Sequence, residues 1–129
     1  MNAASFDTKD MLVDAGFGLF YEENLWISYE PDAPDNCVTI YDTPSFPVNN
    51  SLDGNVYFYS GIQVRIRNND YTTGMELART IMTSLNGRAG ETWGDTIYTT
   101  ITATGEPTPM ARDSNNRIII VINFTLQRR

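Results

Sequence analysis

Residues 61–87 read GIQVRIRNNDYTTGMELARTIMTSLNG, and the hydrophobic rhythm changes halfway through. Ile62, Val64 and Ile66 alternate with Gln63, Arg65 and Arg67, the period-two pattern of a half-buried strand. After NNDY the apolar residues take helical spacing: Leu77, Ala78, Ile81, Met82 and Leu85 share one stripe. Thr72 or Thr73 is placed to cap this helix, Glu76 lies in its first turn, and Asn86-Gly87 ends it. A strand with one apolar face runs directly into a helix with one apolar face. The helix can therefore lie back on the sheet it leaves, which is the unit of an α+β layer.

The same periodicities extend outward. Downstream, DTIYTTITAT at 95–104 alternates Ile97, Thr99, Ile101 and Ala103 against Tyr98, Thr100, Thr102 and Thr104, and is rich in β-branched residues. GEPTPMARDSNN then reads as a loop. RIIIVINFTLQ is a long strand with Ile118, Ile120, Ile122, Phe124 and Leu126 on one face. Ile119 and Val121 on the other imply cover on both sides in its middle. Upstream, FDTKDMLVDAGF at 6–17 reads as a helix capped by Ser5 or Asp7, with Phe6, Val13 and Phe17 on its apolar side, Leu12 flanking them, and Gly16 and Gly18 at its end. LWISY and NCVTIYD, joined by EPDAPDN, read as an antiparallel hairpin. TPSFPVNNSLDGNVYFY at 43–59 has two prolines and no sustained period, so it reads as a long irregular loop, with room for some of it to pair as strand. The expected architecture is a single α+β domain over 1–129. It has a mostly antiparallel sheet of about five strands, two helices on one face, and the order α-β-β-β-α-β-β.

Composition narrows the chemistry. The 129 residues carry a net charge of −7 and contain no histidine and one cysteine, Cys37. Without histidine, Ser-His-Asp and Cys-His catalysis and most zinc sites are excluded. No glycine-rich phosphate cradle occurs. Asp113-Ser114-Asn115-Asn116 faintly resembles the start of a calcium loop but lacks the glycine and glutamate that such a loop needs. The acid pairs Asp32/Asp35 and Glu22/Glu23 read as solvated loop charges. Cys37 lies in a strand and reads as a buried thiol, which suits a reducing compartment. The longest strongly apolar run, IIIVI at 118–122, is far short of the roughly 20 residues a membrane helix needs. No catalytic set, metal site or cofactor motif is expected, and no membrane contact.

The charge is unevenly spread. Residues 1–42 hold nine carboxylates against Lys9, a net of −8; residues 43–129 hold seven against eight arginines, a net of +1. An acidic chain does not seek nucleic-acid phosphate. A split of this kind suits copies docked head to tail, each offering both signs. Arg65 and Arg67, with Tyr41 and Asp42, are the candidate subunit interface. The aromatics of 43–59 would be costly to expose, so Phe46, Leu52, Tyr57 and Phe58 are a candidate partner contact.

Three pieces, PDAPDNCVTIYDTPSFP, GIQVRIRNNDYTTGMELARTIMTSLNG and PTPMARDSNNRIIIVINFTLQRR, occur in that order. Together they resemble the tail terminator proteins of long-tailed bacteriophages, also labelled minor capsid or tail completion proteins. The likeness runs over roughly residues 6–127; Pro44-Ser45 stand where the family usually has Gly-Gly. The resemblance implies a small α+β subunit that forms a hexameric ring at the head-proximal end of the tail tube. Such a ring stops tube polymerisation and presents a surface to the head connector. The implied partners are other copies of the chain, the tail tube protein and a head completion protein, with DNA passing through unbound. The implied location is the virion, after assembly in the host cytoplasm. Asp7, Asp10 and Asp14 would then face the channel. Another neck protein is the alternative within this class; a small ligand-binding module or enzyme is the alternative outside it.

Overall fold

The strand–helix unit at 61–87 is realised, and one sheet is built around it. The computed structural model describes the chain apart from Ser51, Asp53 and Asn55 and the side chains of Ser45, Asn49 and Asn50. The elements are α1 (Ala4–Asp14), β1 (Leu25–Ile27), β2 (Cys37–Asn50), β3 (Val56–Asn68), α2 (Tyr71–Leu85), β4 (Ala89–Trp93), β5 (Thr96–Ala103), β6 (Thr108–Arg112) and β7 (Ile118–Arg128). They form a seven-stranded sheet in the order β1-β2-β3-β7-β5-β4, with β6 also paired to β7. β5 lies against the C-terminal half of β7 and β6 against its start, so the two form one interrupted edge along the same strand.

Apolar alternation sets which face is core. Val38, Ile40, Ile62, Val64, Ile66, Ile120, Ile122, Phe124 and Leu126 are buried in one cluster with Met11 and Leu12 of α1 and Ala78, Ile81 and Leu85 of α2. Both helices lie on this face. Asp70 caps α2, accepting from the backbone N–H of Thr73 at 2.9 Å, where Thr72 or Thr73 had been expected to cap. At Gly74 a Cβ would stand 3.0 Å from Ile120 Cδ1 and 3.1 Å from Asn68 Cβ, so glycine lets α2 approach the sheet closely.

Four expectations are corrected. The strands number seven rather than five; β4 and β6 are short, exposed edge pieces with little apolar alternation. β1 and β2 pair in parallel, Leu25 with Val38 through Ile27 with Ile40, because residues 28–36 cross back over the sheet before β2 starts. Residues 43–59 are not a loop. β2 and β3 continue through most of them as a long ribbon, and register shifts fall between Thr43 and Phe46 and between Phe46 and Asn49. Each shift brackets one proline, Pro44 or Pro47, which a strand accommodates where the ladder is already broken. Finally, α1 is turned from the face expected: Asp7, Thr8 and Met11 are buried beside Leu12, while Phe6 and Val13 are exposed and Phe17, past the helix end, packs partly against the core.

A smaller correction concerns β5. Tyr98 and Ile101 are both fully buried although their positions differ in parity. A register shift between Tyr98 and Thr100 inserts one residue and reverses the alternation, leaving Ile97 exposed.

Candidate assembly surface

The face of the sheet away from the helices carries the arginines. Arg65 and Arg67 project from β3 beside Val121 and Ile119 of β7, and Arg117 stands just before β7. Residues 28–36 cross this face as a strap. Arg67, 4% exposed, donates from Nη2 to the Pro34 carbonyl at 2.6 Å and from Nε to the Asp35 carbonyl at 3.1 Å. Arg65 pairs with Glu30, N to O 3.0 Å. Arg117 donates to the Asp32 carbonyl at 2.6 Å and forms ion pairs with Asp32, Asp35 and Asp113 at 3.1, 3.3 and 2.8 Å. Arg117 gains affinity for its proton: burial opposes the charge, but the bonds to Asp113 and Asp32 more than offset it. Asp113 is held below the usual carboxylate range, chiefly by the Arg117 backbone N–H.

The acids of the strap and the arginines of the sheet are therefore paired within one chain, although Glu30 Oε1 and Arg65 Nε are buried there without a hydrogen bond among the described residues. Arg67 is not offered to a neighbour, which corrects its place in the expected subunit interface. Arg65, Tyr41 and Asp42 do not form one patch either. Tyr41 stands opposite Gln63 on the arginine face, whereas Asp42 accepts from the Ser5 N–H at 3.1 Å and the Ser5 hydroxyl at 2.6 Å on the helix face.

A second polar cluster ties the N-terminus to the sheet's far end. The Tyr98 hydroxyl donates to Asp7 Oδ2 at 2.5 Å, and Arg128 donates to the Asn2 carbonyl at 2.7 Å and to Ser60 Oγ at 2.9 Å. Burial, and then the bond to Asp7, push the Tyr98 phenol well above its usual range. Asp7 is 1% exposed, so it cannot line a channel; Phe6 and Lys9 flank it on the helix while its carboxylate turns inward. Asp10 is part-buried and bonds Lys9 at 2.6 Å, and Asp14 is exposed.

The β2–β3 ribbon is the most exposed apolar feature. β7 ends at Arg128, opposite Phe58, so the ribbon beyond that point has only two strands. Phe46 is 65% exposed and Leu52 108%, with Val48 and Val56 also exposed. Tyr57 and Phe58 are half-buried; the Arg129 guanidinium sits 5.8 Å from the Tyr57 ring centre. Two-stranded ribbons are marginal in water by themselves, and an apolar one is costly to leave bare. Gly61 forms the base: a side chain there would overlap the Thr43 hydroxyl and stand 3.0 Å from the Pro44 carbonyl.

Little in the structure favours chemistry. Burial raises the pKa of the Cys37 thiol, opposed by Arg67, which keeps it protonated and unreactive. Among the described residues, no group of three or more His, Cys, Asp or Glu converges on a metal position. Among the described residues, no helix is long and apolar enough to cross a membrane. A concavity of about 470 Å³ beside Phe17, Arg79, Thr80, Thr83 and Ser84 is open to solvent. Sequence reasoning missed the strap. The signal was present in the acids of EPDAPDN and the arginine spacing of β3, but only the fold shows that they meet.

The family model described as "Bacteriophage tail terminator protein" matches residues 8–129. No curated protein matches the sequence. Among solved structures, one chain of the "Virion of native gene transfer agent (GTA) particle" shares the fold, with a TM-score of 0.66 at 10% identity over 98% of this chain and 94% of that one. The match to the family model spans every strand of the sheet, α2 and α1 from Thr8 onward, and on that ground the chain belongs to the bacteriophage tail terminator family.

Proposed function

We propose that this structural tail protein closes the head-proximal end of the tail tube as a ring of its own copies, six by analogy with the family. The ring stops addition of tube protein and offers its other side to the head connector. The observation that carries this reading is the apolar β2–β3 ribbon, which reaches past the third strand with Val48 and Leu52 bare and has Phe46 exposed at its root, opposite Tyr59. A surface of that kind is stable in a soluble protein only if a partner covers it. The tube end is the partner proposed, with Tyr57 and Phe58 at the ribbon's root. Asp10 and Asp14 remain candidates for the channel wall, where negative charge would keep DNA from binding during passage. The protein acts as a mechanical stop, not as a catalyst.

The test is limited proteolysis of the purified protein with and without tail tubes, beside negative-stain microscopy of the tube ends. Protection of residues 43–59 on adding tubes, with rings at tube ends, is expected. A ribbon cleaved equally fast in both conditions, with bare tube ends, overturns the proposal.

A further inference from the structure

We infer that neighbouring copies in the ring meet through opposite edges of one sheet: the corner at Glu22 and Glu23 beside β1 of one copy, against β6 of the next. This rests on the ring reading above and adds the surface that closes it. β1 and β6 stand at the same level of the sheet. Leu25 pairs with Val38, Val38 with Ile66, Ile66 with Ile120, and Ile120 with Pro109. Five strands thus span the molecule there, and among the described residues neither outer strand has a further strand neighbour beyond the single Tyr21–Leu25 bridge. Opposite edges joined head to tail close into a ring when the rotation between copies allows it.

Charge selects these edges. Of the nine carboxylates in residues 1–42, six are engaged inside the chain: Asp7 by Tyr98, Asp10 by Lys9, Glu30 by Arg65, Asp32 and Asp35 by Arg117, and Asp42 by Ser5. Glu22 and Glu23 are exposed and take no ion-pair partner among the described residues, and they stand beside exposed Phe20 and Tyr21. At the other edge all five residues of β6 are exposed. Arg112 forms no ion pair among the described residues; one of its nitrogens donates to the Asn116 carbonyl at 2.9 Å, and Asp70 feels its charge. Met110, 65% exposed, stands two residues away. A guanidinium and a thioether on one edge face two carboxylates and two aromatic rings on the other, a match in both charge and apolar chemistry.

The test uses two full-length variants, Arg112→Glu and the pair Glu22→Arg/Glu23→Arg, added to tail tubes alone and as an equal mixture, with capped ends counted by microscopy. Each alone puts like charges at every junction and is expected to lower capping about tenfold or more. Mixed, the acidic β6 edge of one variant meets the basic corner of the other, and the reverse holds at the next junction. Alternating rings with an even number of copies then restore capping toward the wild-type level. Wild-type capping by either variant alone, or a mixture no better than its components, overturns the inference and would point to a tube or connector protein as the occupant of these edges. Should a reversal prevent folding, Arg112→Gln and Glu22→Gln/Glu23→Gln take its place, and unchanged capping by them overturns the inference equally. Failure of the wild-type protein to cap tubes would instead remove the ring reading itself, so the two failures are distinguishable.

Discussion

Arg117 organises the arginine face, since among the described residues its guanidinium alone reaches Asp32, Asp35 and Asp113 together. Removing it leaves the strap acids without their principal cation. Arg117→Ala is therefore expected to free residues 28–36, seen as faster amide exchange there and a lower melting temperature. Asp113 links this cluster to pH. Its folded pKa lies below the ordinary 3.8, so the stability it contributes is present above 3.8 and disappears as pH falls through the depressed folded value. Asp113→Asn is expected to be less stable near neutrality and to lose part of the decline below 3.8 in an acid titration of melting temperature. In the N-terminal cluster, Tyr98→Phe strips the buried Asp7 carboxylate of its short hydrogen bond and should cost about 2 kcal/mol in denaturant unfolding.

At the scale of elements, the β2–β3 ribbon is where structure and function meet. Gly61 fixes its base, and any side chain at that position collides with Thr43 and Pro44 on the facing strand. Gly61→Val is expected to open the ribbon to protease and reduce tube capping, while the α2-side core keeps a cooperative unfolding transition. The ribbon also shows what a linear reading can resolve. α2 and the inner part of β3 were legible because each keeps its own period without a break, two from Ile62 to Ile66 and helical from Leu77 to Leu85. The outer ribbon was not, because Pro44 and Pro47 fall at the two register shifts and destroy the alternation that marks a strand. β5 misled for the same reason, through its shift between Tyr98 and Thr100. In α1 the error had a different cause: Asp7 and Thr8 are polar yet buried, because the Tyr98 hydroxyl donates to Asp7 and the Ala4 carbonyl accepts from Thr8, and a helical wheel places such residues outside.

For the whole molecule, the uneven charge proved to be real but largely internal. Arg65, Arg67 and Arg117 bind acids of their own chain; the exposed charges without an ion pair among the described residues include Asp14 on α1, the Glu22/Glu23 corner, Glu76 and Arg79 on α2, Arg112 on β6 and Arg129. The candidate sites were correspondingly half legible. Phe46 and Leu52 are as exposed as their composition suggested, while Asp7 and Arg67 are sealed by contacts that join residues 91 and 33 positions apart. The proposed role requires a subunit that is rigid in its sheet and incomplete at its ribbon. The most direct measurement is the length distribution of tail tubes grown from purified tube protein with this protein added after growth has begun. The account predicts that elongation stops and the ends carry a ring of this chain. Continued elongation at the unaltered rate, with the protein absent from the tube ends, would contradict it.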